Sequence, residues 1–470
     1  MTRPLPGNVV TIVGAGLAGA LLALLLAQRG YRVRILEKRP DPRDSRGDSG
    51  RSINLALAER GIAALRRAGL MDRIADLLIP MRGRMVHDID GASSLQPYGQ
   101  TENEVIHSVG RAALNVALLE QLQRQPAVEL RFGQACLGVR PAYGTLQMRD
   151  LNSNEAYDLA LAPTIATDGA GSAVRASLAA LGEISQREEL LDHDYKELQI
   201  PAAEGRQLDR HALHIWPGSG CMLIALPNPD QSFTVTLFLA RRGRDSFETL
   251  TDPTQLLPFF ERQFPGARQL MPNLAADFAA NPQGFLGTVH CRPWAFGGQA
   301  FGGQLLLLGD AAHAIVPFHG QGMNCAFEDC LALVDLLDSG LGWSEAFASF
   351  EQQRRPNTEA IARMALENYA EMRESVLEPA FQRQRQLALA LERRYPDRFI
   401  PRYAMVMFHA GIPYAEAERR GAIQQTLLQR MDLAGLRAGD AAFEDPLAGY
   451  DEEITRLLPL IPAAPAAARE

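Results

Sequence analysis

The residues with the most chemical content lie in Leu305–Asp329, LLLLGDAAHAIVPFHGQGMNCAFED. An apolar run ends at Gly309-Asp310, a turn containing Pro317 follows, and Gly320-Gln321-Gly322-Met323-Asn324 opens onto a helical pattern. This spacing reads as a strand that delivers a carboxylate to a ligand, then a glycine turn that aims a helix start at the same ligand. Glycine permits close backbone approach. A helix start presents unpaired N–H groups at the positive end of its dipole. Together they would stabilise negative charge developing on a bound ring system.

A second constellation stands at the other end of the chain. Gly14, Gly16 and Gly19 form GxGxxG directly after the β-rich run Val9–Val13 and before the apolar helix Ala20–Arg29. Gly30 ends that helix, Tyr31–Leu36 reads as the next strand, and Glu37 closes it at about the 20-residue spacing of a dinucleotide fingerprint. The glycines give a tight turn, pyrophosphate approach and close helix packing, and Glu37 would accept from a ribose hydroxyl. A carboxylate there repels a 2′-phosphate, so the site suits the ADP half of FAD or NAD. Three signals favour FAD. The Asp310 segment is far along the chain, which implies a ligand with a distant second end. Asp168-Gly169 is another apolar-to-Asp-Gly junction, and Arg111 precedes a helix.

The elements that must position these residues follow from pattern. One βαβ unit opens the chain, Pro40–Arg51 is a charged loop, and Leu57–Ala68 is helical. Gly83–Asp90, Leu130–Phe132 and the alternation around Leu146–Met148 read as strands. Alternation across Leu213–Leu239 predicts an antiparallel sheet. Ser344–Arg355, Thr358–Ser375 and Phe381–Tyr395 carry helical spacing, and no internal repeat is present.

The composition narrows the class. A chain of 470 residues exceeds one ordinary domain, its 47% hydrophobic content supports a sizeable core, and a net charge of −8 argues against nucleic acid. Five scattered cysteines without a CxxC pair suggest neither a disulfide framework nor a metal site, and fit a reducing, cytoplasmic setting. Neither a secretory signal nor a membrane-spanning run is evident.

In combination, Gly14–Gly19, Asp168-Gly169 and Gly309-Asp310 resemble the FAD-dependent aromatic hydroxylases of the para-hydroxybenzoate hydroxylase type. The finer resemblance, from about residue 8 to about residue 410, is to the kynurenine 3-monooxygenase family. Its carriers are Gly50-Arg51-Ser52-Ile53-Asn54-Leu55-Ala56-Leu57, Ile79–Met85, Pro97-Tyr98-Gly99, Leu213–Pro217, Ala225–Asn228, Ser232–Phe238, Asn368–Arg373 and Ile400–Tyr403. The implied fold class is α/β: a Rossmann-like FAD-binding domain, an antiparallel-sheet substrate lobe and a C-terminal helical region. Residues 1–180 would be the first part of the FAD-binding domain, with substrate-side strands near 80–100. Residues 181–290 would form the substrate domain, 291–340 the second FAD-binding part, 341–455 the helical region and 456–470 a disordered tail.

The resemblance also implies roles. Glu37 would hold the ADP ribose, Arg111 the pyrophosphate and Asp310 the ribityl chain, with Leu17, Lys38, Ala56, Asp168 and Gly322 also against FAD. Met323 and Asn324 would face the isoalloxazine ring. Arg84 would pair with the substrate carboxylate, Tyr98 and Asn368 would add hydrogen bonds, and Tyr403 would close the site. Met222, Leu226, Phe238, Pro317 and Phe318 would wall the aromatic ring, and His319 would lie near flavin and ring as a positioning group. The implied reaction takes L-kynurenine to 3-hydroxy-L-kynurenine with NADPH as co-substrate and O2, through a flavin C4a-hydroperoxide. No metal and no protein nucleophile is needed. The apolar C-terminal segment of membrane-anchored relatives is absent, so a soluble, bacterial-type version without membrane anchor is expected, as monomer or homodimer. The alternatives are a related hydroxylase of another aromatic acid and a flavin-binding redox or interaction protein without turnover.

Overall fold

The computed structural model describes residues 9–44, 53–298, 301, 303–375, 378–438 and 446–463. Gly50, Arg51 and Ser52 of the early loop, and 464–470 of the expected tail, lie outside the described residues. The chain divides into two compact units. Unit 1 comprises Met1–Ile79, His107–Asp192 and Gly284–Thr358; unit 2 comprises Pro80–Ile106, His193–Gln283 and Glu359–Glu470.

In unit 1 a six-stranded sheet runs in the order Ala295–Phe296, Gln304–Leu307, Pro163–Ala166, Val9–Val13, Arg32–Leu36, Val128–Arg131. Val9–Val13 is parallel to both neighbours. Such a strand is covered on both faces, so its sequence runs apolar instead of alternating. The crossover helix Leu17–Gln28 is buried from Gly19 through Ala27. It packs against helices Arg111–Gln123 and Gly322–Asp338. Leu21, Leu22, Leu24, Leu25 and Leu26 are each 0% exposed, which gives on the order of 10 kcal/mol of gross burial from this one helix. Asn54–Leu57 pairs with the strand ending at Gly110, and Gln134–Arg140, Thr145–Asp150 and Ala156–Ala160 form a meander.

Unit 2 is built on a mainly antiparallel sheet, seven-stranded in all, in which Ser185–Ile200, Phe233–Ala240, Met222–Pro227, Ala212–Pro217, Gly83–His87 and Ser93–Pro97 lie side by side in that order. Ala212–Pro217 and Gly83–His87 pair in parallel. Alternation decides the two faces. Leu223, Ala225, Val235 and Leu237 share a core with Leu256, Phe259, Phe260 and Phe278 from the helices Pro253–Gln263 and Leu274–Ala280. Met222, Leu226 and Phe238 fall on the other face, and Met222 lies directly opposite Phe238. A further core joins Leu391, Phe399, Leu427, Met431 and Ile454.

Three expectations are corrected. The two helices expected on either side of Pro356 are one, Trp343–Ala370, followed by a wide turn at Glu371–Ser375. Proline costs a helix one hydrogen bond and a clash with the preceding turn. Here that preceding turn is fixed by Arg354, which is ion-paired to Asp329 and Glu328. The region starting at Leu57 is strand Asn54–Leu57 and then helix Glu59–Arg67. Residues 456–463, expected in the tail, are ordered: Leu457 ends a helix, Ile461 is 0% exposed, and Arg398 and Arg420 donate to the Ile461 and Ala463 carbonyls. Among the described residues no helix is long and apolar enough to cross a membrane.

One packing motif in unit 2 carries a pH prediction. His87 stacks on Trp216 at 4.4 Å, and its Nε2 bonds His214 Nδ1 at 2.8 Å. Burial first, then the His214 charge, pulls His87 down to about 4. A free imidazole titrates at about 6.5, so below that value the unfolded chain binds a proton that the folded chain refuses. The stabilisation is therefore complete above pH about 6.5 and is lost as pH falls toward 4. Melting temperatures across pH 6.5 to 4.5 should fall more steeply for wild type than for His87→Phe; parallel curves would contradict this.

Candidate functional site

The glycine loop of unit 1 is shaped by contacts that exclude side chains. Gly14 has φ +101°, and a Cβ there would lie 2.6 Å from the Thr167 carbonyl oxygen. A Cβ on Gly19 would lie 2.0 Å from Gly14 O and 2.5 Å from Thr167 Oγ1. The Thr167 hydroxyl, 3.0 Å from both Val13 O and Gly14 O, locks the ends of two neighbouring strands. Gly16 differs, because a Cβ there would meet no atom within 4 Å. The helix that begins after it has no side-chain cap, so its first N–H groups face that open space, an arrangement suited to phosphate.

Two side chains frame the loop. Asn115 Nδ2 donates to Ala15 O at 3.0 Å. Arg111, four residues earlier on the same helix, shares that face and is exposed. Glu37 accepts from Ala15 N at 2.8 Å and from Arg39 N and Nε, each at 2.9 Å. Burial opposes its ionisation, but the Arg39 and Ala15 hydrogen bonds outweigh burial and hold the carboxyl below its usual range. Leu17 is half-buried and Lys38 exposed.

The two other carboxylates end adjacent strands. Asp168 Oδ2 accepts from Ala173 N at 2.8 Å, while Oδ1 is buried without a partner. Burial pushes this carboxyl up. Gly309 takes φ +63°, which turns the chain into Asp310. Protein atoms surround Asp310 closely, yet its side chain is exposed, as befits a residue lining a concavity.

Arg175, which the sequence reading missed, ties these turns together. Ser172 caps the helix start by accepting from Arg175 N at 3.0 Å. From there the buried guanidinium donates to Ala311 O at 2.9 Å and to Ala170 O. Asp329, also missed, lies behind the Gly309 turn. Its carboxylate accepts from Gly309 N at 3.3 Å and Arg354 Nε at 2.7 Å, and pairs with His313 Nε2 at 2.7 Å. Cys325 lies close to His313 and Asp329 in a metal-like grouping, but the Arg354 guanidinium already supplies the positive charge there.

The segment after Asp310 leads to Asn324 at the helix start. Asn324 was expected to face a ring system. Its side chain makes three hydrogen bonds within the fold, with Oδ1 accepting from Ala58 N at 2.9 Å and Nδ2 donating to Ala56 O and Gly320 O at 2.8 Å each. It clamps the Asn54–Leu57 strand to the glycine turn, and only its backbone N–H remains for a ligand. Gly322 and Met323 open the helix half-buried. Pro317, Phe318 and His319 form a short 3-10 turn in unit 1, with Phe318 and His319 buried.

In unit 2 four of the expected substrate residues, Arg84, Met222, Leu226 and Phe238, share one sheet face. Arg84 is in register with Leu213, and Ile215 with Ile224, which places Arg84 on the face of Met222, Leu226 and Phe238. Arg84 is 8% exposed. Its Nη2 lies 3.5 Å from Asn368 Oδ1, and its guanidinium sits 4.7 Å from the Tyr403 ring and 5.9 Å from the Tyr98 ring. Tyr98 and Tyr403 stack at 5.5 Å. Glu371 Oε1, another missed residue, lies 3.6 Å from Arg84 Nη1. Arg84 Nε is buried without a partner. Burial disfavours the charge of Arg84, but Tyr403, Tyr98 and Glu371 outweigh it and keep the group charged.

Residues 8–258 and 298–365 match the family model described as FAD binding domain. The chain is 45% identical over 457 residues to kynurenine 3-monooxygenase of Stenotrophomonas maltophilia (strain K279a), covering 97% of this chain and 98% of that relative. It is 46% identical over 458 residues to kynurenine 3-monooxygenase of Xanthomonas euvesicatoria pv. vesicatoria (strain 85-10), covering 95% and 99%. The chain belongs to the kynurenine 3-monooxygenase family. Solved structures share its fold. 2-Methyl-3-hydroxypyridine-5-carboxylic acid oxygenase matches with a TM-score of 0.63 at 19% identity, over 80% of this chain and 95% of that one. p-Nitrophenol 4-monooxygenase PnpA from Pseudomonas putida DLL-E4 also matches at 0.63 and 19%, over 82% and 94%.

As a family member the chain binds FAD, and unit 1 fits that group. The open space over Gly16, the uncapped helix start, the unpartnered Asp168 Oδ1 and the exposed Asp310 are what a long anionic dinucleotide requires. Two alanine substitutions separate fold from ligand. Gly16→Ala should leave apo-protein stability within about 0.5 kcal/mol of wild type while weakening FAD at least about tenfold. Gly19→Ala should damage both. Calorimetric melting and flavin titration measure these; a Gly16→Ala protein that holds FAD as wild type does would contradict the placement.

Proposed function

We infer that this chain is an FAD-dependent monooxygenase that uses NADPH and O2 to convert L-kynurenine into 3-hydroxy-L-kynurenine. The observation that carries the substrate reading is the Arg84 cluster: a buried guanidinium with an unpartnered Nε, set beside two stacked tyrosines on the sheet face that carries Met222, Leu226 and Phe238. A planar guanidinium matches a carboxylate with two parallel bonds, and the apolar side chains of Met222, Leu226 and Phe238 suit an aromatic ring.

The roles follow from position. Arg84 holds the substrate carboxylate, with Tyr98, Asn368 and Tyr403 as hydrogen-bonding and stacking neighbours. Glu371, 3.6 Å from Arg84, receives the substrate ammonium, so the pair reads an α-amino acid. Met222, Leu226 and Phe238 wall the ring and exclude water. In unit 1, Glu37 accepts from the ADP ribose, Arg111 and the helix start hold the pyrophosphate, and Asp310 accepts from the ribityl hydroxyls. Pro317, Phe318 and His319 shape and position. When bound, FAD reduced by NADPH supplies the oxygen-activating chemistry. The protein contributes orientation, dryness and fixed charge, worth several kcal/mol of barrier when geometry is right. All five cysteines are unpaired, which supports a reducing, cytoplasmic setting.

Product analysis with L-kynurenine, NADPH and O2 tests the reading: 3-hydroxykynurenine should form in step with NADPH oxidation. A flavin-loaded protein that makes no hydroxylated product would refute it. Arg84→Met should raise KM for kynurenine about 30- to 1000-fold, the scale of about 2–4 kcal/mol for a desolvated charge pair, with FAD content unchanged. Loss of flavin in that variant would mark Arg84 as structural.

A further inference from the structure

Helix Pro379–Arg394 makes three polar contacts with the segment that carries Tyr98. Arg385 Nη2 donates to Pro97 O. Gln100 Nε2 donates to Leu389 O at 3.1 Å and to Glu392 Oε2. The segment is also closed on itself, because Glu104 Oε2 accepts from Gln100 N at 2.7 Å and Thr101 N at 2.9 Å. Arg385 therefore fixes the carbonyl immediately before Tyr98, and Tyr98 stacks on Tyr403 beside Arg84.

Arg385 matters electrostatically as well. It is half-buried and lies within the fields of Arg84 and Glu371; burial and the Arg84 charge weaken its hold on its proton, and Glu371 offsets them only in part. Arginine stays protonated in proteins. Two guanidinium charges therefore share one neighbouring carboxylate, and this group of three carries one surplus positive charge. An unbalanced buried charge is unfavourable until a partner joins it, and the fitting partner is an anionic ligand.

We propose that Arg385 is a positioning and specificity-determining residue of the substrate carboxylate site, supplying the surplus positive charge beside Arg84 and pinning the backbone that carries Tyr98. The assignment rests on the kynurenine reading above, and on it the site should prefer a carboxylate to an uncharged group. Arg385 acts through Arg84, Tyr98 and the local field.

The test uses the FAD-loaded full chain as wild type, Arg385→Met and Arg385→Lys. Binding of L-kynurenine, and of its analogue without the α-carboxylate, is titrated without NADPH; turnover is measured separately. Arg385→Met should weaken kynurenine at least about tenfold and the decarboxylated analogue less than about threefold, with kcat at saturation within about threefold of wild type. FAD content should be unchanged, and Arg385→Lys should recover most of the lost affinity. Unchanged kynurenine affinity in Arg385→Met would overturn the proposal. Equal weakening of both ligands, or joint loss of affinity and flavin without rescue by lysine, would reduce Arg385 to a structural role and also overturn it. A wild type that binds kynurenine but forms no hydroxylated product would sink the functional reading, while the binding comparison would still decide the role of Arg385.

Discussion

A fully buried carboxylate, Asp329, accepts from the Gly309 amide and from Arg354 and pairs with His313. Burial alone would keep it protonated, but His313 and Arg354 outweigh burial and hold it below the usual carboxylate range. Breaking a buried pair by removing one partner costs about 3–5 kcal/mol, because the other charge is stranded. The energy is thus concentrated where Gly309 turns the chain into Asp310. Arg175 fixes the same turn from the other side through Ala311 O and holds the Asp168 turn through Ala170 O. The proposed cofactor carboxylates are set by these hidden arginines.

The protein's chemical restraint follows from this design. The buried thiols of Cys291, Cys325 and Cys330 are pushed up by burial, so none is an activated nucleophile. What the chain offers is shape and fixed charge. In unit 1 this means an open glycine loop, an uncapped helix start and two carboxylates. In unit 2 it means the apolar side chains Met222, Leu226 and Phe238 on one sheet face with a desolvated guanidinium. A reaction whose difficult step belongs to FAD asks for those things and little more.

Much of this was legible in the sequence. Val9–Val13 was readable as a strand because a doubly covered strand is continuously apolar, and Gly14, Gly16 and Gly19 because glycine spacing encodes close approach. Alternation across Leu213–Leu239 gave the antiparallel sheet and so the shared face of Met222, Leu226 and Phe238. Other features left no local trace. Arg175 reaches Ala311 and Arg354 reaches Asp329 across long sequence separations, and no periodicity marks a buried ion pair. Asn115, Glu371 and Arg385 sit on helices where a polar residue looks like solvent-facing surface. Pro356 reads as a break because the ion pairs that hold its helix together are tertiary. Asn324 looked like a ligand contact because it opens a helix, but its amide is taken up by Ala56, Ala58 and Gly320.

The central claim is that the buried ionic hub, and not the ligand, sets the Gly309-Asp310 turn. The most direct measurement is the FAD dissociation constant of Asp329→Asn, a near-isosteric change that removes the charge. Provided circular dichroism shows a folded chain, the account predicts FAD weakened at least about tenfold, although Asp329 itself is buried behind the turn. Wild-type FAD affinity in Asp329→Asn would contradict it.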